Sequence, residues 1–483
     1  MAQEVLPPGL SYDDVLISPN ESDIRSRSGN QVDTSTVVAR GMPPIHVPIV
    51  SSNMDTVTEG LMATTMALHG GLGVIHRFIP SEQQAAEVLK VKETMRVIEE
   101  DPPLLPETAT IADALNLLKK RPRGYIIVYH GETFSGPFVG IATTKDFLAE
   151  KPDAPITRIM TLRENVITVP QGTELADAVT EMKKRRIEKI PMVDAAGNLR
   201  GVYTLKDDEL FRKYPLASLD LKGKLMVGAA IGVRNGDIQR AHILVDAGVD
   251  VLVLDIAHGH LIYTKEMLHR LKNEEGIKIP IIAGNVATRK GTLYIRDSDA
   301  DGVKVGVGPG FVCETRNVAG VGVPQITAIR EARRALEEED DPIPIMADGG
   351  IRKAGDVSKA IVAGADLVMI GSLFAGTDES PGETVFVDGK LQVMVRGMAS
   401  ASAFEKRQQL GDATRNAGQY VPEGRTTFTP YRGPVAKVLY ELMGGLRSGM
   451  SYVGAHTIEE MQKQGQLRQV THAGANEQRR PLG

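Results

Sequence analysis

The chain carries one cysteine in 483 residues, Cys313. It sits in KVGVGPGFVCETR (304–316), where Gly306, Gly308 and Gly310 alternate with apolar residues. Glycines so spaced let the backbone take positive φ and turn its peptide groups inward. Inward amides bind an anion and favour a thiolate, whereas inward carbonyls ligate a monovalent cation, here from Gly308, Gly310 and Cys313. A thiolate is a nucleophile, and the Thr315 hydroxyl lies two residues on. A lone cysteine is more often a small buried hydrophobe, but these glycine-rich, polar flanks do not read as core. G-x-G-x-G also lacks the last interval of a dinucleotide-binding fingerprint.

Other polar segments follow apolar runs at intervals: Ser51 to Asp55, His76-Arg77, Asp255 with AHGH (257–260), Gly284-Asn285, Asp348-Gly349-Gly350 and Gly371-Ser372. DGG and IGS are short turns with free amides that suit a phosphate. RGMAS (396–400) adds Gly397, Met398 and Ser400, and Asp348 could accept both hydroxyls of a ribose. The substrate therefore reads as a nucleoside monophosphate.

The apolar runs are the elements that must position these groups. Strands are expected at Ile45–Ser51, Leu72–His76, Leu225–Ala230, Val249–Ile256, Ile279–Asn285, Gly302–Val307, Ile343–Asp348 and Asp366–Ser372. They lack alternation, as strands buried on both faces do. Helices are expected at Gly60–Leu68, Ser81–Thr94, Gly236–Ala247, Tyr263–Asn273, Pro324–Glu337 and Gly355–Ala363. Eight β-runs separated by helices predict an α/β chain, a closed parallel (β/α)₈ TIM barrel. In such a barrel reactive groups stand beyond the C-terminal ends of the strands, where every polar segment above except RGMAS falls.

The stretch between the second and third strands is far too long for a loop, and it contains a duplication. One copy spans Pro103–Leu148 and the other Val166–Leu210, each reading as strand, helix, strand, strand, helix. Their ends, GIATTKD and GVYTLKD, match at Gly, Thr, Lys and Asp. The pair resembles tandem cystathionine-β-synthase (CBS, Bateman) motifs. That resemblance implies an adenosine ribose and phosphates held by Thr143 and Asp146, and by Thr204 and Asp207. A dimerisation module without a ligand is the alternative. The expected domains are 1–94 (barrel, first part), 95–214 (tandem CBS) and 215–483 (barrel, second part, with catalytic loop and flap).

Composition narrows the class. A net charge of -5 and a pI near 6.1 give no global case for nucleic acid or membrane. Hydrophobic residues make up 42% and Trp is absent, so aliphatic side chains and Met must fill the core. No apolar run reaches the ~18 residues of a membrane-spanning helix. The start, MAQEVLPPGL, lacks the pattern of a signal peptide. One cysteine forms no intrachain disulfide, and a cytoplasmic location is expected.

NMDTVTE, GNV, KVGVGPGFVCETR, GVGVPQ, ADGGIR and GGLRS together resemble the family of IMP dehydrogenase and GMP reductase, over nearly the whole chain. The resemblance implies that Cys313 attacks purine carbon 2. The dehydrogenase branch oxidises IMP with NAD to XMP, and the reductase branch converts GMP to IMP and ammonia with NADPH. Dehydrogenases carry an Arg-Tyr pair on a flap; here the flap region ASAFEKRQQLGDATRNAG (401–418) has Arg407-Gln408 at best. QYVPEGRTTFTPYRG (419–433) resembles the reductase segment, placing Tyr420, Glu423 and Gly424 at the purine and giving Glu423 the ammonia. Asn53 before Met54 is also reductase-like, whereas DIAHGH (255–260) and the CBS pair resemble the dehydrogenase. Arg77 stands where reductases have a lysine, and Glu314 replaces a more usual threonine.

By that resemblance the chain is expected to be a GMP reductase, with IMP dehydrogenase as the alternative. Cys313, Thr315 and Glu423 are its expected catalytic residues. Asn53, Met54, Asp348, Gly350, Gly371, Ser372, Gly397, Met398, Ser400, Tyr420 and Gly424 are expected to bind substrate. Asp255, Gly306 and Gly308 are expected to meet the cofactor, with potassium as a second partner. ATP or GTP at the CBS pair and a homotetramer or octamer are implied as well. A nucleotide sensor without catalysis, or an FMN or phosphosugar barrel, are the rival readings. The tail (456–483) reads as one amphipathic turn and a mobile polar end.

Overall fold

The computed structural model describes residues 8–27, 31–121, 123–134, 136–409 and 420–477. Two compact units emerge, one made of residues 1–94 with 216–483 and the other of residues 95–215.

The first unit is a closed barrel of eight parallel strands. They are β1 (Ile49–Ser51), β2 (Leu72–Ile75), β3 (Gly228–Ile231), β4 (Val251–Asp255), β5 (Ile281–Val286), β6 (Gly302–Val305), β7 (Ile345–Asp348) and β8 (Leu367–Ile370). Each pairs with the next, and β8 closes on β1 through Val368 opposite Ile49 and Ile370 opposite Ser51. Apart from Lys304 and the polar residues near their C-terminal ends, these strands are apolar because helices cover them outside and side-chain layers fill them inside. Val50, Leu72, Val74, Val253, Met346 and Met369 pack in one interior cluster, methionine taking the place of the missing large aromatics. Val38 to Ile45 seal the N-terminal end, where Arg40 N–H donates to the Asp301 carbonyl just before β6.

Helices follow the strands, including two that the apolar pattern does not announce, Arg289–Asp297 and Val435–Val453. The second holds Gly444 and Gly445, which lower helix propensity. A Cβ at Gly445 would lie 2.3 Å from that of Ala354, so tertiary packing outweighs the local cost. The expected helix at 263–273 is instead Ile262–His269 followed by a π-helical stretch, Arg270–Glu274.

Two further sheets belong to this unit and are not expected from the barrel pattern. Val15–Ser18 pairs with Gln466–Gln469. The tail reading is therefore corrected: up to Glu477 the tail is helix Ile458–Gln464, that strand, and helix His472–Glu477. Its strand gains backbone partners only from the other end of the chain, which local pattern cannot show. An antiparallel sheet of Thr384–Val387, Lys390–Arg396 and Thr426–Pro430 carries the segments on either side of the flap.

The second unit contains two small sheets. One has the order Leu104–Pro106, Tyr125–Tyr129, Phe138–Thr143, Thr161–Leu162, and the other has Leu199–Thr204, Lys189–Val193, Val169–Pro170. Helices Ile111–Lys120 and Leu175–Arg185 occupy the same place in the two copies. The copies differ at their ends. The second closes with helix Leu205–Lys213, but the first has only the 3-10 turn Asp146–Ala149. Pro152 follows that turn and disfavours helical backbone just before it.

Candidate active site

The cysteine loop begins where β6 ends. Gly306 has φ 151°, and a Cβ there would lie 2.2 Å from the Asp348 carbonyl oxygen at the end of β7. Only glycine allows that approach. The loop then folds back, with Cys313 N–H donating to the Gly310 carbonyl at 3.1 Å. Cys313 Sγ stands 3.3 Å from Thr315 Oγ1, and Thr315 opens the short helix Thr315–Val318.

A backbone lattice brings two distant segments to this loop. Glu314 N–H donates to the Glu423 carbonyl at 2.7 Å, and Arg425 N–H to the Val312 carbonyl at 3.0 Å. Gly397 N–H donates to the Arg425 carbonyl at 2.9 Å, and Glu423 N–H to the Ala399 carbonyl at 3.1 Å. Residues 312–314, 397–399 and 423–425 are thus held side by side. Arg396 anchors the assembly, its Nε 3.0 Å from the buried Asp55 carboxylate beyond β1. Burial raises the Asp55 carboxyl, but Arg396 and then Lys406 outweigh it and hold it below the usual range.

Beneath the loop lies a buried charge cluster. Lys304 of β6 has a side chain only 3% exposed, and its Nζ donates to Asp255 Oδ1 at 2.5 Å and Asp348 Oδ2 at 2.9 Å. Asn285 Nδ2 donates to the same Asp348 oxygen at 2.9 Å and to the Gly306 carbonyl at 2.8 Å. Burial disfavours the Lys304 charge, yet the two carboxylates prevail and hold the ammonium above its ordinary range. Burial likewise works against the Asp255 carboxylate, and Lys304, Arg77 and a hydrogen bond from Asn53 together keep it ionised.

Cys313, Thr315 and Glu423 line one cleft of about 280 Å³, together with Asn53, Met54, Asp348, Gly397, Met398 and Gly424. Asp255, Gly306, Gly308 and Gly310 line it too. Other expected residues stand elsewhere. Gly350 and Ser372 border a separate cavity of about 210 Å³ beside Pro309 and Phe311. Gly371 faces Met54, whose sulfur would sit 2.9 Å from a Cβ there. The Ser400 hydroxyl accepts the Ala403 N–H at 3.2 Å at the start of helix Ala401–Gln409. Tyr420 donates its hydroxyl to the Ala399 carbonyl at 2.8 Å and stacks on Phe404 with ring centroids 4.1 Å apart. Burial pushes its phenol up, against the pull of Arg407. Of the flap region, 410–419 lie outside the described residues.

Sequence reasoning gave no role to Lys304 or Arg396. Lys304 carried a signal, a lone cation inside the otherwise apolar strand GVKV. Arg407 borders the cleft, its guanidinium 5.9 Å from the Phe78 ring and 5.8 Å from that of Tyr420. Among the described residues, no three His, Cys, Asp or Glu gather as a metal-binding group, and no helix is long and apolar enough to cross a membrane.

In the second unit, Thr143 donates its N–H and hydroxyl to Asp146 Oδ2 at 2.7 and 2.8 Å. The Thr204 hydroxyl donates to Asp207 Oδ2 at 2.6 Å.

A family model described as IMP dehydrogenase / GMP reductase domain matches residues 9–480. An inosine-5'-monophosphate dehydrogenase of Aquifex aeolicus is 43% identical over 473 residues, 97% of this chain and 94% of that protein. A GMP reductase of Leishmania donovani is 42% identical over 481 residues, 98% and 96% of the two. A cysteine-to-alanine variant of GMP reductase from Trypanosoma brucei, solved in complex with guanosine 5'-monophosphate, superposes with a TM-score of 0.88 at 40% identity, covering 98% of both chains.

Proposed function

Because this chain belongs to the IMP dehydrogenase / GMP reductase family of oxidoreductases, we propose that its reaction is the NADPH-dependent reductive deamination of GMP to IMP and ammonia. The supporting observation is the backbone lattice that sets Glu423 in the same cleft as Cys313 and Thr315. The Trypanosoma brucei reductase holds GMP in a chain of the same fold.

In this reading the Cys313 thiolate adds to carbon 2 of GMP. Thr315 and Glu423 deliver a proton to the departing amine, which leaves as ammonia; positioned acid–base groups of this kind contribute about 10²–10⁴-fold. The reduced nicotinamide, when bound, supplies the hydride that carbon 2 requires. Asp255, Gly306 and Gly308 would hold it, with Arg77 and the apolar surface of Ile256 and Ala257 in the same cleft. Lys304 keeps Asp255 ionised and orients Asp348. Cys313 finally departs as thiolate and leaves IMP. Asp348 takes the ribose hydroxyls, and the phosphate goes to the adjoining cavity, where Pro309, between Gly308 and Gly310 of the cleft, meets Gly350 and Ser372, with Gly371 beside them after β8. Ser400 and Tyr420 support the site from outside, one as a helix cap and one by bracing Ala399. A potassium ion would use the carbonyls of Gly308, Gly310 and Cys313; that of Gly310 keeps one lone pair after accepting the Cys313 N–H.

The discriminating assay compares GMP plus NADPH with IMP plus NAD at the reduced-nicotinamide absorbance band. Turnover of the first pair, abolished by Cys313→Ala, is expected. Faster XMP formation from IMP would establish the second reading, IMP dehydrogenase. That reading has its own support: Arg407 borders the cleft with its Nη2 3.5 Å from the Tyr420 hydroxyl, an arginine and a tyrosine paired in space though not in sequence.

The second unit is proposed to be a tandem CBS module that binds ATP or GTP and shifts the chain between tetramer and octamer in the cytoplasm. An effect on turnover requires unequal nucleotide affinity for the two states. Sedimentation and kinetics with each nucleotide would test it.

A further inference from the structure

The two copies of the repeated element differ in what faces them. In the first, Thr143 and Lys145 border an open cavity of about 230 Å³, with Arg186 and Lys189 on its other walls and Ile167 and Ile187 as apolar surface. Its carboxylate is Glu188, whose oxygens lie 2.8 Å from Lys145 Nζ and 3.4 Å from Lys189 Nζ. Lys145, Arg186 and Lys189 outnumber Glu188 and Asp146, which leaves net positive charge beside apolar walls. That combination suits a ligand with a flat base and several phosphate oxygens.

In the second copy a buried acidic side chain stands at the place that Thr161 takes beside the first. Ile141 pairs with Thr161, which is exposed. Its counterpart in the repeat, Val202, is bridged to Glu99 through two backbone hydrogen bonds of 3.0 Å. The Glu99 side chain is 1% exposed. Its carboxylate accepts the Tyr125 hydroxyl at 2.6 Å, Arg96 Nη1 at 3.1 Å, and lies 3.3 Å from Arg123 Nε. Arg121 stands 3.9 Å away and also bonds Asp101. Arg96 faces Asp207, whose carboxyl is pushed up by burial and drawn back by its Thr204 hydrogen bond and by Arg96. Glu99 therefore engages Arg96 and Arg123, Arg121 is shared between Glu99 and Asp101, and Asp207 lies between Arg96 and Lys206. An incoming phosphate would find the arginines already engaged by a buried carboxylate.

We propose that the inserted unit holds one nucleotide per chain, at Thr143–Asp146, and that Glu99 with its arginines and Tyr125 fills the second place, at Thr204–Asp207. This rests on the reading of the unit as a nucleotide-binding module. Titration calorimetry of the full chain with ATP, and separately with GTP, tests both. One nucleotide per chain is expected, lost in Asp146→Asn and retained in Asp207→Asn. Two per chain, one of them removed by Asp207→Asn, would overturn the proposal and leave the module reading intact. Loss in Asp207→Asn with retention in Asp146→Asn would do the same. No binding, or binding that neither variant alters, would overturn the module reading itself. The wild-type stoichiometry decides between one and two even where a variant fails to fold.

Discussion

Two buried lysines each face two aspartates at opposite ends of the barrel, and one of the two clusters borders the candidate cleft. At the C-terminal end, Lys304 bonds Asp255 and Asp348, both of which line that cleft. At the N-terminal end, Lys92 Nζ lies 2.9 Å from Asp220 and 2.8 Å from Asp250, and donates to the Leu225 carbonyl at 3.0 Å. Strand β4 carries one member of each, Asp250 just before it and Asp255 at its end. The lower carboxylates are closed off by backbone. Asp250 accepts the Val227 N–H at 2.8 Å, and Asp220 accepts those of Lys222 and Lys224 at 2.8 and 2.9 Å. Identical side-chain types therefore serve as a staple below and as a polarised wall above. Which end of the barrel they occupy, and what acceptor capacity remains, separates the two.

The sharpest way to break this contrast is to remove each lysine. Lys304→Met removes the cation that both carboxylates share, leaving Asp255 to Arg77 and Asn53 and Asp348 to Asn285. We expect kcat to fall by about 10³-fold, since charge positioned at a reacting centre is commonly worth about 10²–10³. Retention of kcat within threefold would make the upper cluster a staple as well. Lys92→Met should do the reverse. Breaking a buried ion pair costs about 3–5 kcal/mol, so denaturant unfolding of the barrel should shift by that order while kcat per folded chain stays unchanged.

The contrast also marks what was legible in advance. The eight barrel strands were visible because strands covered on both faces are continuous apolar runs. The cysteine loop was visible because its glycines and single thiol have no use in a core. Lys304 was passed over since a strand is recognised by its apolar majority, and its two partners lie 49 and 44 residues away. The sheet of Thr384–Val387, Lys390–Arg396 and Thr426–Pro430 escaped for a related reason. It is half exposed and mixed in composition, and its third strand pairs across the flap. Ser400 and Tyr420 are read as substrate residues from motif position, and the structure adds what their hydroxyls bond, the Ala403 N–H and the Ala399 carbonyl.

Acidity provides a subtler test of the lower cluster. Burial pushes Asp250 up to about 6, although Lys92 and the Val227 N–H oppose it. An unfolded aspartate titrates near 3.9, so the folded chain binds this proton more tightly. The group's contribution to stability is thus fully present below about pH 4 and is lost as pH rises through about 6. At about 1.4 kcal/mol per unit, the swing is about 3 kcal/mol. Asp250→Asn has no such titration. Relative to wild type, the variant should gain about that much stability between about pH 4 and pH 7, read by urea unfolding at successive pH values. A constant difference across that range would mean that Lys92 keeps Asp250 fully ionised.

The smallest effect belongs to Asp220→Asn, and it separates the ends of the barrel most cleanly. An asparagine oxygen can still accept the Lys222 and Lys224 N–H groups, so the turn before β3 is preserved. What is lost is one of the two charges on Lys92, which keeps both oxygens of Asp250 at 2.8 Å. A cost of about 1 kcal/mol is expected, the size of one net hydrogen bond. Steady-state kcat and KM should not move, because no atom of this cluster reaches the cleft. The matching change above, Asp255→Asn, keeps the shape of the side chain but removes half of the charge that holds Lys304. It should lower kcat while leaving the unfolding midpoint nearly fixed. If instead both substitutions shifted stability and neither touched turnover, Lys304 and Lys92 would be two staples of one barrel, and the chemistry would rest on the Cys313, Thr315 and Glu423 segments alone.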